Sequence, residues 1–442
     1  MKQRWPWALL LLAAAAIALP AGAAADQSSQ PSSPVAGHIA AGESHSCALI
    51  SAAARCWGFG GNGRLGYDNT NSIGDNEIPA AAGPISLGAG RAATAVTAGH
   101  GHTCALLDDA TVRCWGFGGN GRLGYDNTTD VDDPDSVDPV DFGGGRTATA
   151  ISAGDAHTCA VLDDGTVRCW GYAAAGQLGY GDTTDVDDPG SVGPVELGGV
   201  KATAITAGES HTCALLEDGT VRCWGYGLYG QLGNGDNDPD NLNIGDDELP
   251  TFKPPVFLGA GRTATAISAG NLHTCARLDN GTVRCWGFGG NGQLGYANTS
   301  RIGDNETPGS LADPVNLGLG RTATAISAGR QHSCAILDNG RVRCWGGGSF
   351  GQLGYGNQRS IGDDETPGSA GPVALGAGRT AIAIDTGVFH TCALLDTTSV
   401  RCWGYGANGR LGYCNEVNVG DTETPAAIGP VNLGAGGAGC AA

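Results

Sequence analysis

Basic side chains are scarce in this chain. Lys and Arg number 24 against 44 Asp and Glu, a formal charge of −20 over 442 residues. A nucleic-acid binder needs a basic footprint to displace counterions from phosphates, so that class is excluded. Helical patterning is missing as well. Outside the N-terminal stretch no segment repeats its apolar positions at 3.6-residue spacing, which excludes a helix bundle. The apolar run Ala8 to Leu19 is too short for an ordinary membrane span. No Ser/His/Asp arrangement and no paired acid stand out from the background, so an enzyme is not expected. Methionine occurs once, whereas glycine occurs 77 times. The glycines recur at fixed places, which argues for architecture and against disorder.

What the chain does have is a unit repeated seven times, typified by Ala207 to Gly225. Its marker is His-x-Cys, followed by a second Cys joined to Trp-Gly. Successive first cysteines lie 54 to 62 residues apart. A period of this size signals a repeat architecture, which overrides the two or three domains that the length alone would suggest.

Within the unit, Cys213-Ala214-Leu215-Leu216 and Thr220-Val221-Arg222-Cys223-Trp224 flank Glu217-Asp218-Gly219. Two short strands joined by three residues, with Gly third, predict a hairpin whose turn ends in the left-handed region. Counting outward from that turn sets Cys213 opposite Cys223. Directly opposed Cα atoms in an antiparallel pair lie within reach of a disulfide. The register therefore predicts Cys47–Cys56, Cys104–Cys114, Cys159–Cys169, Cys213–Cys223, Cys275–Cys285, Cys334–Cys344 and Cys392–Cys402. The first pair is one residue closer together, so its turn must differ. Cys414 and Cys440 remain, and a Cys414–Cys440 bond would pin the C-terminal tail onto the last repeat.

Lys2 and Arg4, the apolar run and Ala23-Ala24-Ala25 read as a secretory signal over residues 1–25. Residues 26–38 read as a Ser/Gln/Pro linker. The repeats span about 39–88, 89–143, 144–198, 199–259, 260–318, 319–376 and 377–434, with a tail over 435–442. Sixteen cysteines in a secreted chain, extracellular or periplasmic, point to disulfides and away from metal. After signal removal no membrane span is expected. Each unit adds a strand before the hairpin, such as Thr263 to Ser268, and a short one after it, such as Pro372 to Leu375. Four strands per unit, seven times, predict an all-β, seven-bladed propeller of four-stranded antiparallel blades.

The motifs A-G-x-x-H-[ST]-C-A-L, V-R-C-W-G and G-x-[LQR]-L-G resemble the regulator of chromosome condensation repeat, which builds seven-bladed propellers. The resemblance covers roughly nine-tenths of the chain. The family's better-known cytoplasmic members do not carry both cysteines, so the double Cys resembles a secreted, disulfide-stapled bacterial branch. The family includes a nucleotide-exchange factor for a small GTPase and a secreted bacterial inhibitor of β-lactamases. Function does not follow from the fold.

Other features have plainer readings. The seven His-x-Cys pairs are spread one per repeat, whereas zinc needs about four converging ligands. Those histidines are expected to hold the turn between the first two strands. Gly225 to Gly230 matches G-x-G-x-x-G but lacks the helix that a dinucleotide site requires. One Trp per repeat is expected as a wedge between blades, and the Arg before each second Cys as solvated or paired with carboxylates. Structural calcium could use Asp236, Asp238 and Asp240, or Asp130, Asp132 and Asp133. Asn241 stands where a calcium loop would need Gly, so solvated acidic turns are expected and no cofactor.

Positions that differ between repeats are free to carry recognition. They fall between Ala-Gly and His, and in the loop after the third strand. Glu209, Tyr229, Leu272, Arg330, Phe350 and Phe389 are the candidate partner-binding residues, and strand alternation puts them on one face. The expected function is a secreted, non-catalytic protein-binding or scaffold module, monomeric, with an unidentified protein partner. An inhibitor of an extracellular enzyme is one alternative. A guanine-nucleotide exchange factor is another, disfavoured because its GTPase would lie across the membrane. Non-reducing peptide mapping should join Cys159 to Cys169 and Cys275 to Cys285, with no bond between repeats and no free thiol. A dimer band that disappears in Cys440→Ser would contradict the tail staple.

Overall fold

The computed structural model describes residues 39–50, 53–236, 242–434 and 440. The signal, the linker and the tail except Cys440 lie outside them. Among the described residues no helix is long and apolar enough to cross a membrane. Seven antiparallel sheets follow one another, each built from strands adjacent in sequence. In the fourth, the strands are Ala202–Ala207, His211–Leu216 and Val221–Gly225. First strands of neighbouring blades lie against each other and form the inner wall.

The hairpin register follows from its turn. Cys213 faces Cys223 and Leu215 faces Val221. Gly165, Gly219, Gly281 and Gly340 close their turns at φ 82°, 77°, 75° and 73°. All seven cross-strand pairs are bonded, with Cα atoms 4.0–4.1 Å apart. In the first blade Ile50 pairs with Ala53, which shortens the turn.

The blades have three strands, not four. The fourth segment makes one ladder bond per blade, such as the Val195 N–H to the Val167 carbonyl at 2.9 Å. Two local causes explain this. A proline precedes the bonding residue (Pro194, Pro372) and removes a donor. A tyrosine hydroxyl also takes the adjacent ladder position. The Tyr125 hydroxyl accepts from the Cys114 N–H at 2.8 Å and donates to the Cys114 carbonyl at 3.0 Å. Tyr180 treats Cys169 in the same way. Asn234 replaces this tyrosine in blade 4, and Cys223 is the most exposed hairpin cysteine, at 6%.

The arginine before each second cysteine does not pair with acid. Arg168 donates to the Pro189 carbonyl at 2.9 Å, and Arg284 and Arg343 bond Pro308 and Pro367 equivalently. These guanidiniums tie the outer strand to the proline turn beyond it.

The ring closes between the seventh and first blades with no exchange of strands. The Ala41 N–H donates to Asp385 at 2.8 Å, and Ser327 donates to the same carboxylate at 2.9 Å. Burial pushes the Asp385 carboxyl up to about 6, opposed by these donors. Cys414 is bonded to Cys440, whose sulfur lies 3.6 Å from the Asn76 carbonyl oxygen of the first blade. The eighth bond therefore sits at the seam.

Thr398 ends the last hairpin turn at φ 61°, where four other repeats place glycine. A left-handed conformation costs a non-glycine residue about 1–2 kcal/mol. Thr398→Gly should raise unfolding stability by about 1 kcal/mol in urea titrations under oxidising conditions. Gly219→Thr should lower it by more, since an added Cβ there also meets Thr263 at 2.6 Å.

Candidate functional site

Each turn from first to second strand begins with Ala-Gly, or with Thr386-Gly387 in the seventh blade. The glycines form a closed ring of near contacts. A Cβ on Gly42 would meet the Gly99 carbonyl oxygen at 2.6 Å, one on Gly99 that of Gly154 at 2.3 Å, and so on to Gly387 against Gly42 at 2.3 Å. Only a residue without a side chain fits, which is why this position does not vary.

The histidine that follows starts the second strand; its ring lies against the glycine of its own turn, and its Nε2 reaches the next blade. His45, His102, His157, His211, His273, His332 and His390 place Nε2 2.8–2.9 Å from a Thr or Ser hydroxyl of the following blade, and His390 closes the ring on Ser46. Each hydroxyl donates its hydrogen back to a loop carbonyl of the preceding blade, Arg64, Arg122, Gln177, Gln231, Gln293, Gln352 or Arg410, at 2.9–3.0 Å. The imidazole must then donate through Nε2. Nδ1 has no partner in any of the seven. Five of the tryptophans, Trp57, Trp224, Trp286, Trp345 and Trp403, donate to the same carbonyls at 2.9–3.0 Å. The expected wedge is thus also a hydrogen-bonded tie.

On this frame the variable residues gather at one end of the molecule. The N–H of the residue after Trp-Gly donates to the turn carbonyl beside it: Phe59 to Ser44, Tyr226 to Ser210, Tyr405 to Phe389. Turns and post-third-strand loops therefore share a face. Leu272, Arg330 and Phe389 sit on the turns, and Tyr229 and Phe350 on the loops. Phe350 packs against Phe389 at 5.0 Å between ring centroids and Tyr405 at 4.9 Å, and Arg330 lies 5.7 Å over Phe389. Tyr229 packs on Phe288 at 5.4 Å under Arg301 at 4.7 Å. Glu209 is held by Asn271, and its charge is felt by Arg330.

Phe288, Tyr405 and Arg301 were not among the expected residues. The signal was present, since an aromatic residue follows Trp-Gly in six of seven repeats. Phe59, Phe117 and Tyr172 are 37%, 39% and 39% exposed despite their size. His100 was also missed as a charged group. Its ring lies 2.9 Å from Glu43 and 3.7 Å from Asp155. Hydrogen bonds to Asp155 and Glu43 raise its pKa to about 9.

The opposite face is self-paired. Arg91, Arg146, Arg262, Arg321 and Arg379 each bind an aspartate of the hairpin turn that follows in the same blade. Of the acidic loops, Asp130 accepts from Asn62 and Gly118, Asp133 caps Asp135, and Asp236 pairs with Lys253. Residues 237–241, which include Asp238 and Asp240, lie outside the described residues. Asp246-Asp247-Glu248 and Asp363-Asp364-Glu365 each bring carboxylate oxygens within 4.8 Å of one another. Three such ligands fall short of the six to eight oxygens of calcium. Burial and the adjacent carboxylates push Glu248 and Glu365 up to about 7.

Known proteins share this arrangement. The description "RCC1-like domain" matches residues 16–312, and "Regulator of chromosome condensation (RCC1) repeat" matches 323–352 and 381–410. The ultraviolet-B receptor UVR8 of Arabidopsis thaliana is 33% identical over 382 residues, 86% of this chain and 79% of the receptor. The E3 ubiquitin-protein ligase HERC2 of Homo sapiens is 28% identical over 70% of this chain, a stretch that spans 6% of the ligase. Human WBSCR16 superposes with a TM-score of 0.66 at 19% identity, covering 85% of this chain and 92% of that one. Yeast RCC1 (Prp20), solved bound to Kap60, gives 0.63 at 18%, covering 86% and 83%. At these identities the structures speak for the fold.

The buried histidines make the ring acid-sensitive. Burial lowers His157, His273 and His332 to about 3 and His211 to about 4, and holds His45, His102 and His390 well below 6.5. A histidine kept neutral in the fold stabilises fully above its unfolded pKa near 6.5. That contribution is lost as pH falls below it, by about 1.4 kcal/mol per pH unit for each ring. The melting temperature should hold from pH 8 to 7 and fall steeply from pH 6 to 4. His332→Gln should lower it at pH 7 and flatten the slope.

Proposed function

Since the chain belongs to the RCC1-like family, we propose that it is a secreted, non-catalytic propeller that binds a partner protein through the face bearing the Ala-Gly-x-x-His turns. The observation that carries this reading is the contrast between the two faces. One presents exposed and half-buried aromatic rings, five of them beneath arginines, beside turns that differ from repeat to repeat. The other spends its charges on pairing with itself. Aromatic and arginine side chains are the usual anchors of protein interfaces.

Eight disulfides suit an oxidising compartment and support secretion. The net charge of −20 argues against nucleic acid. Prp20 was solved with a protein bound, which is consistent with protein recognition by this fold. Ligase activity is not proposed, because the likeness spans 6% of HERC2. An inhibitor of a secreted enzyme would be one instance of this reading. An exchange factor would require the chain to stay in the cytoplasm, where eight disulfides are not expected to form.

Replacing Leu272, Phe350 and Phe389 with Ala should weaken capture of a partner from culture medium at least tenfold, with the melting temperature nearly unchanged. Asp164→Ala, in a hairpin turn on the other face, should leave capture intact. Equal losses from both variants would refute the face assignment.

A further inference from the structure

The binding face is not uniform around the ring. Around the first three blades and the adjoining loop of the seventh, its arginines are buried against Phe59, Phe117 and Tyr405 and are used within the face. His100 sits between Glu43 and Asp155, and Arg64, Arg122 and Arg410 donate to the turn carbonyls of His100, Asp155 and Glu43. Across blades four to seven the pattern changes. Tyr229 and Phe288 form one cluster and Phe350, Phe389 and Tyr405 another. Each carries one exposed arginine, Arg301 over Tyr229 and Arg330 over Phe389, and the second also has the buried Arg410 against Tyr405.

Both arginines are exposed. Among the described residues neither has a carboxylate within 4.0 Å, although Arg330 feels the charge of Glu209. Each guanidinium lies over a ring, and among the described residues its N–H edge meets no carboxylate. That edge is the part that receives a carboxylate through two parallel hydrogen bonds. A stacked guanidinium has also lost part of the side-chain freedom that an ion pair would otherwise cost it. The surroundings therefore offer two anion-receiving edges, each beside a large apolar surface.

We propose, building on the reading that this face binds protein, that blades four to seven receive an acidic segment of a partner in which Asp or Glu flanks large apolar side chains. Carboxylates would meet Arg301 and Arg330, and the apolar residues would pack on the two aromatic clusters. This runs against the sign expected from the whole molecule. A net charge of −20 attracts basic partners at long range. The local site selects the opposite charge at contact.

The test is selection of a phage-displayed random dodecapeptide library on the oxidised protein in 150 mM salt. Enriched sequences should combine Asp or Glu with Phe, Leu, Tyr or Trp. Synthetic versions should bind at least tenfold more weakly to Arg330→Glu and Arg301→Glu. They should bind within twofold to Arg341→Glu, an exposed arginine of an opposite-face hairpin turn, and all three variants should keep the wild-type melting temperature. Enrichment of basic peptides, no enrichment, or acidic peptides that ignore both charge reversals would overturn the proposal. Peptides indifferent to both reversals but lost on Tyr229→Ala would overturn the charge match while leaving the face assignment standing. A sedimenting dimer that Arg330→Glu dissociates would show a second copy of the chain as the occupant, and would overturn it too.

Discussion

The histidine of each second strand donates to a hydroxyl of the next blade, the hydroxyl donates to a loop carbonyl of the previous blade, and in five blades a tryptophan of the next blade donates to that same carbonyl. Everything else in the molecule depends on this three-part tie. It holds two sheets together without sharing a strand, and in the five blades where the tryptophan takes part every polar hydrogen of the tie is paired, whereas Trp115 and Trp170 Nε1 have no partner. Buried hydrogen bonds of this kind contribute modestly when made and cost more when broken. The closely approaching glycines set the inner radius, because the tie forms only when neighbouring turns come within van der Waals distance. His390 on Ser46 is the same tie, so the ring closes with the device that builds it.

The cross-strand disulfides act on a different scale. Each binds a hairpin that is already local, so it restricts the unfolded chain more than it shapes the native one. The tyrosine hydroxyl between third strand and fourth segment has the complementary role. It satisfies the strand edge within its own blade, and an open edge would otherwise pair with other chains. Blade 4 lacks that tyrosine and carries Pro254-Pro255 in its outer segment, a local departure that leaves the ring itself intact.

The tie also explains how the two faces came to differ. Residues beneath it are held by neighbours on both sides and repeat unchanged. Residues above it, between Ala-Gly and His and just after Trp-Gly, bond the frame through their backbone, as Tyr405 N–H does to the Phe389 carbonyl. Their side chains are therefore free to vary. On the opposite face the Arg–Asp pairs recur with the repeat and leave little charge unspent.

The repeat, its hairpin register and the pairing of its cysteines were legible in the sequence because each is a short-range consequence of turn geometry: Gly219 at the end of a three-residue turn sets Cys213 opposite Cys223. The family was legible for the same reason, since its motifs are local and occur seven times. Three things were decided only by the tertiary structure. The histidines looked like turn residues because their partners, such as Thr212 for His157, lie a full repeat away in the chain. The fourth strand looked complete because its apolar alternation is real, yet a proline and a tyrosine hydroxyl from elsewhere in the repeat remove its ladder. The aromatic clusters join residues of different blades, as with Phe350 and Phe389, and only the fold sets Arg301 over Tyr229. Local spacing encodes what a hairpin does, whereas contacts across a blade boundary depend on how hairpins are placed, and that placement is a property of the closed ring.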